Sequence, residues 1–357
     1  MKIGLLTFHD TSNFGAMLQT YGLYKCLILM GHECEIINYQ CEAILKRELP
    51  PSWRFTLNPK EIIKELCFYP KDRKRYAGIR DFRNNYISMS EPLTKESIKD
   101  VENRYDVLMT GSDMVWALNI TGEDYTYFLD FVSKDKIKCS YGSSIGAEWT
   151  DDQKKRIKEL LASFSVISVR EEITSLWLRR ILEREINIVC DPTMLLRKED
   201  WEIIKNNKYK NQKYILVYFN DSNGKCLKDA IAKGKEKGLP VYLVNGYIPS
   251  LHYKSLNVYT IEDFLSLLFY ADYVFTASYH GLLFSLYFKK QFTYYEREPA
   301  TRMKFISEKF GLTDRNGSHN LVDDKPIEYS VIEREIEDYR ASSKSLLSKM
   351  ISNGDNL

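Results

Sequence analysis

The residues best suited to chemistry stand in one short run, Ser278-Tyr-His-Gly281. Residues 272–276, rich in Val, Tyr and Phe, read as a buried strand. Residues 281–288 read as the opening turns of a helix, with Leu282, Leu283, Leu286 and Tyr287 at helical spacing. Ser278 and His280 therefore sit at a strand-to-helix junction. In α/β proteins such junctions lie at the carboxyl end of the sheet, where ligands bind. A helix starting there aims free N–H groups and a partial positive charge at its ligand, which suits an anion. His280, one of five histidines, is placed to donate to a phosphate or to carry a proton. The plainer reading is that it caps the helix.

Other candidates stand at comparable positions. Arg170 ends the strand at 165–169, placed to fork onto a carboxylate or phosphate, or else to pair with Glu171 or Glu172. Asp113 follows the strand at 105–110; it is a general base, a ligand for a hydroxyl, or the cap of the next helix. Asn13 and Gly15 open the first helix with an amide side chain and a permissive backbone, fit to bind an anion or sugar hydroxyl or to cap the helix. Ser143 and Ser144 follow the strand at 136–141, and Arg302 comes early in a later helix.

The elements that must position these residues repeat an α/β texture. Strands are expected at 2–8, 34–39, 105–110, 136–141, 165–169, 186–190, 214–219, 240–245, 272–276 and 291–295, and helices at 16–30, 151–164, 224–238, 261–270, 281–288 and 301–310. The first strand, helix and second strand form a βαβ unit, although the loop is neither G-x-G-x-x-G nor a P-loop. Three segments result: a first domain at 1–196 with an irregular insertion at about 41–102, a second at 212–326, and a charged helical tail at 327–357 that packs back on the first. Pro50-Pro-Ser-Trp53 breaks regular structure. The run 71–83 carries six basic and two acidic residues, a solvated helix face or a docking patch for an anionic acceptor at a membrane surface.

Bulk composition narrows the function. With 357 residues, 44% apolar and 28% charged, the chain is a globular protein of two ordinary domains. A net charge of +2 gives no general pull on nucleic acid. Seven scattered cysteines without C-x-x-C point to core thiols, with neither a disulfide framework nor a metal site. The lack of a signal-like opening leads to a cytoplasmic expectation.

In order, the chain shows Ser12-Asn-Phe-Gly-Ala-Met-Leu-Gln19, Gly111-Ser-Asp-Met-Val-Trp116, Tyr141-Gly-Ser-Ser-Ile-Gly146, Ser168-Val-Arg-Glu-Glu172, Asp191-Pro-Thr-Met-Leu195, Ser278-Tyr-His-Gly281 and the later Arg302. This series resembles the polysaccharide pyruvyl transferase family over roughly residues 1 to 312. The resemblance implies two Rossmann-like domains facing across a cleft, as in GT-B glycosyltransferases. It also implies transfer of a pyruvyl group from phosphoenolpyruvate to a sugar as a ketal, without metal or organic cofactor. The acceptor would be a sugar of a polysaccharide or its lipid-linked precursor, at the inner face of the membrane. It places Arg170 and His280 in donor binding. Many relatives have an arginine where this chain has Ser278, so Arg302 is the candidate replacement cation. The competing readings are a GT-B glycosyltransferase using a nucleotide sugar and a non-catalytic member of a glycan-assembly complex.

Overall fold

A computed structural model of the chain describes residues 1–48, 69–219, 221, 223–246, 250–297, 301–318 and 325–352. The Pro50-Pro-Ser-Trp53 break lies outside the described residues. The chain divides into two compact units, Met1–Leu196 with Asp338–Leu357, and Arg197–Glu337. Each is built on one fully parallel sheet covered by helices, the α/β arrangement of a Rossmann-like unit.

The first sheet holds β1 (Lys2–Leu6), β2 (Glu33–Ile36), β3 (Val107–Thr110), β4 (Ile137–Ser143), β5 (Val166–Val169) and β6 (Asn187–Ile188), in the order β2-β1-β3-β4-β5-β6. Central strands are buried along their length, as strands covered on both faces must be: Val107, Leu108, Met109 and Thr110 of β3 are all inaccessible. The order reverses between β1 and β3. Because every pairing is parallel, the carboxyl ends of all six strands open on one edge, and the crevice for a ligand is expected at that reversal.

Helix Phe14–Leu29 follows β1 and buries most of its length. It presses on the turn after β6 so closely that a Cβ at Gly22 would lie 2.6 Å from the Pro192 carbonyl oxygen, which only glycine avoids. The same turn is held by the final helix, Tyr329–Ser352. Arg340 Nε donates to the Met194 carbonyl at 2.5 Å, and Ser343 Oγ accepts from the Cys190 amide at 3.0 Å.

The second sheet holds β7 (Ile215–Tyr218), β8 (Val241–Val244), β9 (Lys254–Leu256), β10 (Tyr273–Thr276) and β11 (Gln291–Tyr294), in the order β11-β10-β7-β8-β9. Its reversal lies between β7 and β10. Strand β9 and the helix Glu172–Leu182 had no counterpart in the sequence reading. Among the described residues no helix is long and apolar enough to cross a membrane.

Candidate functional site

On the second sheet, β10 ends at the reversal. Thr276 Oγ1 donates to the Tyr218 carbonyl at 2.7 Å and the Ala277 amide donates to the Phe219 carbonyl at 3.0 Å, so the ends of β7 and β10 are stitched together. Ser278 leaves the strand in an extended conformation and caps the next helix, Tyr279–Tyr287, with its Oγ accepting from the Gly281 amide at 3.3 Å. The helix therefore starts two residues earlier than the sequence suggested. His280 is not the cap: it is the second helical residue, half-buried in the first turn. Gly281 is dictated by the same contact, because a Cβ there would lie 2.2 Å from Thr276 Oγ1. Arg302 is the second residue of helix Thr301–Lys309, which packs against the His280 helix.

The helices at this reversal share a charge pattern. Lys225–Lys237 after β7, Tyr279–Tyr287 after β10 and Thr301–Lys309 after β11 carry no acidic residue in the first turn, and Lys225 and Arg302 put cations there. A cation at a helix start adds to the positive end of the dipole instead of neutralising it. Helix Ile261–Tyr270, which follows the outer strand β9, has the ordinary pattern, with Glu262 and Asp263 in its first turn. Asp221, just before the first of these helices, accepts from the Cys226 amide at 2.9 Å and Asp229 pairs with Lys225 at 2.6 Å, so the helix starts without acids at this reversal are those of Tyr279–Tyr287 and Thr301–Lys309.

The first sheet's edge is of opposite character. Arg170 follows β5 with its side chain only 1% exposed, and its guanidinium is held by Asp191 Oδ2 at 2.7 Å and Asp113 Oδ1 at 3.2 Å. The expected alternative partners were Glu171 or Glu172. Glu171 instead accepts from the Ser144 hydroxyl at 2.7 Å and the Thr174 hydroxyl at 3.0 Å, which frees Arg170 for the acids of the neighbouring strand ends. One guanidinium set against two carboxylates leaves this cluster net negative, with Asp113 as its accessible member at 16% side-chain exposure. Asp113 does not cap a helix: the cap of Leu118–Thr121 is Ala117. Its backbone has φ 78° and its carbonyl accepts from the Ser144 amide at 2.9 Å, aligning it with the end of β4. Ser143 and Ser144 are both fully buried; Ser143 Oγ donates to the Thr110 carbonyl at 3.4 Å.

Asn13 is exposed and caps its helix, with Oδ1 accepting from the Gly15 amide at 2.8 Å and the Ala16 amide at 3.4 Å. The helix accordingly begins at Phe14, and Gly15 is buried within its first turn. Thr7 Oγ1 donates to the Ser112 carbonyl at 3.2 Å, joining the loop after β1 to the Asp113 loop. The structure thus brings Asp113, Arg170, Ser143 and Ser144 together, with Asn13 and Gly15 across the β1/β3 reversal; Ser278, His280 and Arg302 form the second group, in the other unit.

Sequence reasoning missed Asp191 as the partner of Arg170, although an acid directly after a strand is the signal that singled out Asp113. It also missed how the loop after β1 is held. On helix Tyr69–Tyr86, Arg83 pairs with Asp10 at 3.0 Å, the Tyr76 hydroxyl donates to Asp10 at 2.5 Å, and Arg75 donates to the Ser12 carbonyl at 3.1 Å. His9, beneath that loop, lies with Nδ1 3.1 Å from the Thr7 carbonyl oxygen and Nε2 3.0 Å from Asn38 Oδ1. Burial, against the Thr7 carbonyl, holds it below its ordinary value of 6.5, and the nearby charge of Arg83 works in the same direction.

Comparison with known proteins gives a family and a fold. A family model described as polysaccharide pyruvyl transferase matches residues 13–299. No curated protein matches in sequence. Among solved structures, UDP-GlcNAc 2-epimerase from Methanocaldococcus jannaschii is similar at 12% identity and a TM-score of 0.51, covering 94% of this chain and 92% of that one. UDP-N-acetylglucosamine 2-epimerase from Rickettsia bellii is similar at 10% identity and a TM-score of 0.51, covering 100% and 97%. At these identities the likeness speaks to the fold alone.

Proposed function

Because the chain belongs to the polysaccharide pyruvyl transferase family, we propose that it moves a pyruvyl group from phosphoenolpyruvate to a sugar hydroxyl, forming a ketal and releasing phosphate. The observation that carries this reading is the pair of helix starts without acidic residues after β10 and β11, with His280 in the first turn of one and Arg302 in that of the other. Phosphoenolpyruvate brings a carboxylate and a phosphate, and helix-terminal N–H groups with flanking cations suit both.

Protonation of the donor's methylene carbon makes the adjacent carbon cationic. A sugar hydroxyl adds there and gives up its proton, phosphate leaves with the C–O bonding pair, and a second hydroxyl closes the ketal, its proton passing to the departing phosphate. His280 contacts phosphate and delivers the proton, with Ser278 and Arg302 as donor contacts. Asp113 is the base toward the reacting hydroxyl, with Asn13, Gly15, Ser143 and Ser144 as candidate contacts on the same edge. Arg170, clamped between two acids, acts by holding Asp113 in place. Proton transfers by such groups contribute roughly 10²–10⁴-fold each. The chemistry written here needs neither a metal nor an organic cofactor.

A lipid-linked glycan at the inner membrane face is the acceptor class that fits the exposed Arg73, Lys74 and Arg80 on helix Tyr69–Tyr86. The decisive test is inorganic phosphate release from phosphoenolpyruvate with a panel of free and lipid-linked glycosides. Wild type releases phosphate with at least one acceptor, and His280→Ala and Asp113→Asn do not. Release of nucleotide from a nucleotide sugar, with none of phosphate from phosphoenolpyruvate, would replace this reading with a glycosyltransferase.

A further inference from the structure

Among the described residues, the left-handed positions other than glycine fall into two sets. Leu129 and Glu183 are helix C-caps, and Glu123 and Lys289 directly follow capping residues, where such a conformation is ordinary. Asp113, Phe219 and Asn245 instead follow β3, β7 and β8 at the ligand-facing edges. Asn245 tolerates the conformation as a short polar residue and is fixed by accepting from the Val258 amide at 2.9 Å. Phe219, with φ 59°, has no such excuse: a bulky side chain disfavours this region, and such strain persists where function retains it.

What the conformation achieves is presentation. Phe219 is the first residue past β7, at the reversal, and its carbonyl accepts from Ala277, the residue before the Ser278 cap. Phe219 is 43% exposed, the Tyr218 ring stands 5.0 Å away at 75° to it, and the Arg297 guanidinium lies over its ring, 5.4 Å from the centroid. An aromatic face carries partial negative charge and attracts the C–H face of a pyranose. A guanidinium beside it forks onto a phosphate.

We propose that Phe219 and Arg297 form a subsite for a phosphorylated sugar ring, so that the acceptor is a glycosyl phosphate precursor and not a finished, uncharged glycan. The proposal rests on the reading of this edge as the ligand edge of a pyruvyl transferase.

Binding to the full-length protein is measured by calorimetry or saturation-transfer NMR. The probes are glucose, galactose, mannose and N-acetylglucosamine 1-phosphates, the matching methyl glycosides, and UMP. At least one hexose 1-phosphate binds. Phe219→Ala weakens it by about tenfold or more, whereas Phe219→Trp stays within about threefold. Arg297→Ala weakens the phosphorylated sugar and leaves the methyl glycoside unchanged. Phe219→Gly, relieved of the backbone strain, melts no lower than wild type while losing the ligand, which separates binding from folding. The subsite is overturned if no hexose 1-phosphate binds, if Phe219→Ala binds as wild type does, or if UMP is the probe that depends on Phe219. Phosphate release from phosphoenolpyruvate on the same preparations tests the donor chemistry independently. Intact release with failed binding sinks the subsite alone; intact binding without release sinks the donor reading alone.

Discussion

Arg170 shows how far a residue's position can mislead about its partner. Its place after a strand suggests an anion-binding fork, and the fork is there, but the anions are the chain's own Asp113 and Asp191. Removing one member of a buried ion cluster strands the others in low dielectric. Arg170→Ala is therefore expected to lower stability by about 3–5 kcal/mol in chemical denaturation. A wild-type midpoint would show that the two acids tolerate the loss. His9 gives a second expectation. Buried and held below 6.5, it takes up its proton at lower pH in the folded chain than in the unfolded chain, which is protonated near that value. Its contribution is complete above 6.5 and fades as pH falls below it. Denaturation midpoints between about pH 5 and pH 7 should decline toward acid in wild type and decline less in His9→Gln. Ser278, His280, Asp113 and Arg170 were legible from strand-end position alone. Asp191, Phe219 and Arg297 were not singled out, because pairing and stacking are set by which strands become neighbours.

Among elements, the sequence reading located ten of the eleven described strands, because long buried parallel strands announce themselves as apolar runs. Strand β9 escaped because Lys254-Ser-Leu256 stands in no apolar run, whereas the still shorter β6 lies within the mostly apolar stretch 186–190. Two helices start two residues earlier than expected, because Asn13 and Ser278 are their caps, and the cap expected at the second was His280. The cap at Ser278 sets where His280 sits, so Ser278→Ala should cost about 1 kcal/mol. Gly281→Ala should cost more, about 1–3 kcal/mol, since the added methyl meets Thr276 and pushes the helix off the strand. Thermal melts of the two variants check the order; if Gly281→Ala melts above Ser278→Ala, the close approach does not constrain the helix.

For the molecule as a whole, the two ligand-facing edges differ in sign. The first gathers Asp113 and Asp191 around one arginine, and the second presents two helix starts without acids, after β10 and β11. Donor capture should therefore be salt-sensitive: KM for phosphoenolpyruvate is expected to rise between about 50 and 500 mM salt as screening shortens the range of the field. A flat KM would mean that the edge's charge does not act on the donor. The course of the chain has a temporal consequence. The unit that starts with Met1 takes its last pieces from Asp338 onward, after the whole of the other unit has been made. On the ribosome, the turn bearing Asp191 must wait some 150 residues of translation for Arg340 and Ser343. Domains usually fold in the order of their synthesis; here the turn beside the acidic cluster of the earlier-made unit gains its last contacts only after the later-made unit has emerged, so an arrested nascent chain would carry the second sheet complete and the first unit's acidic cluster unfinished.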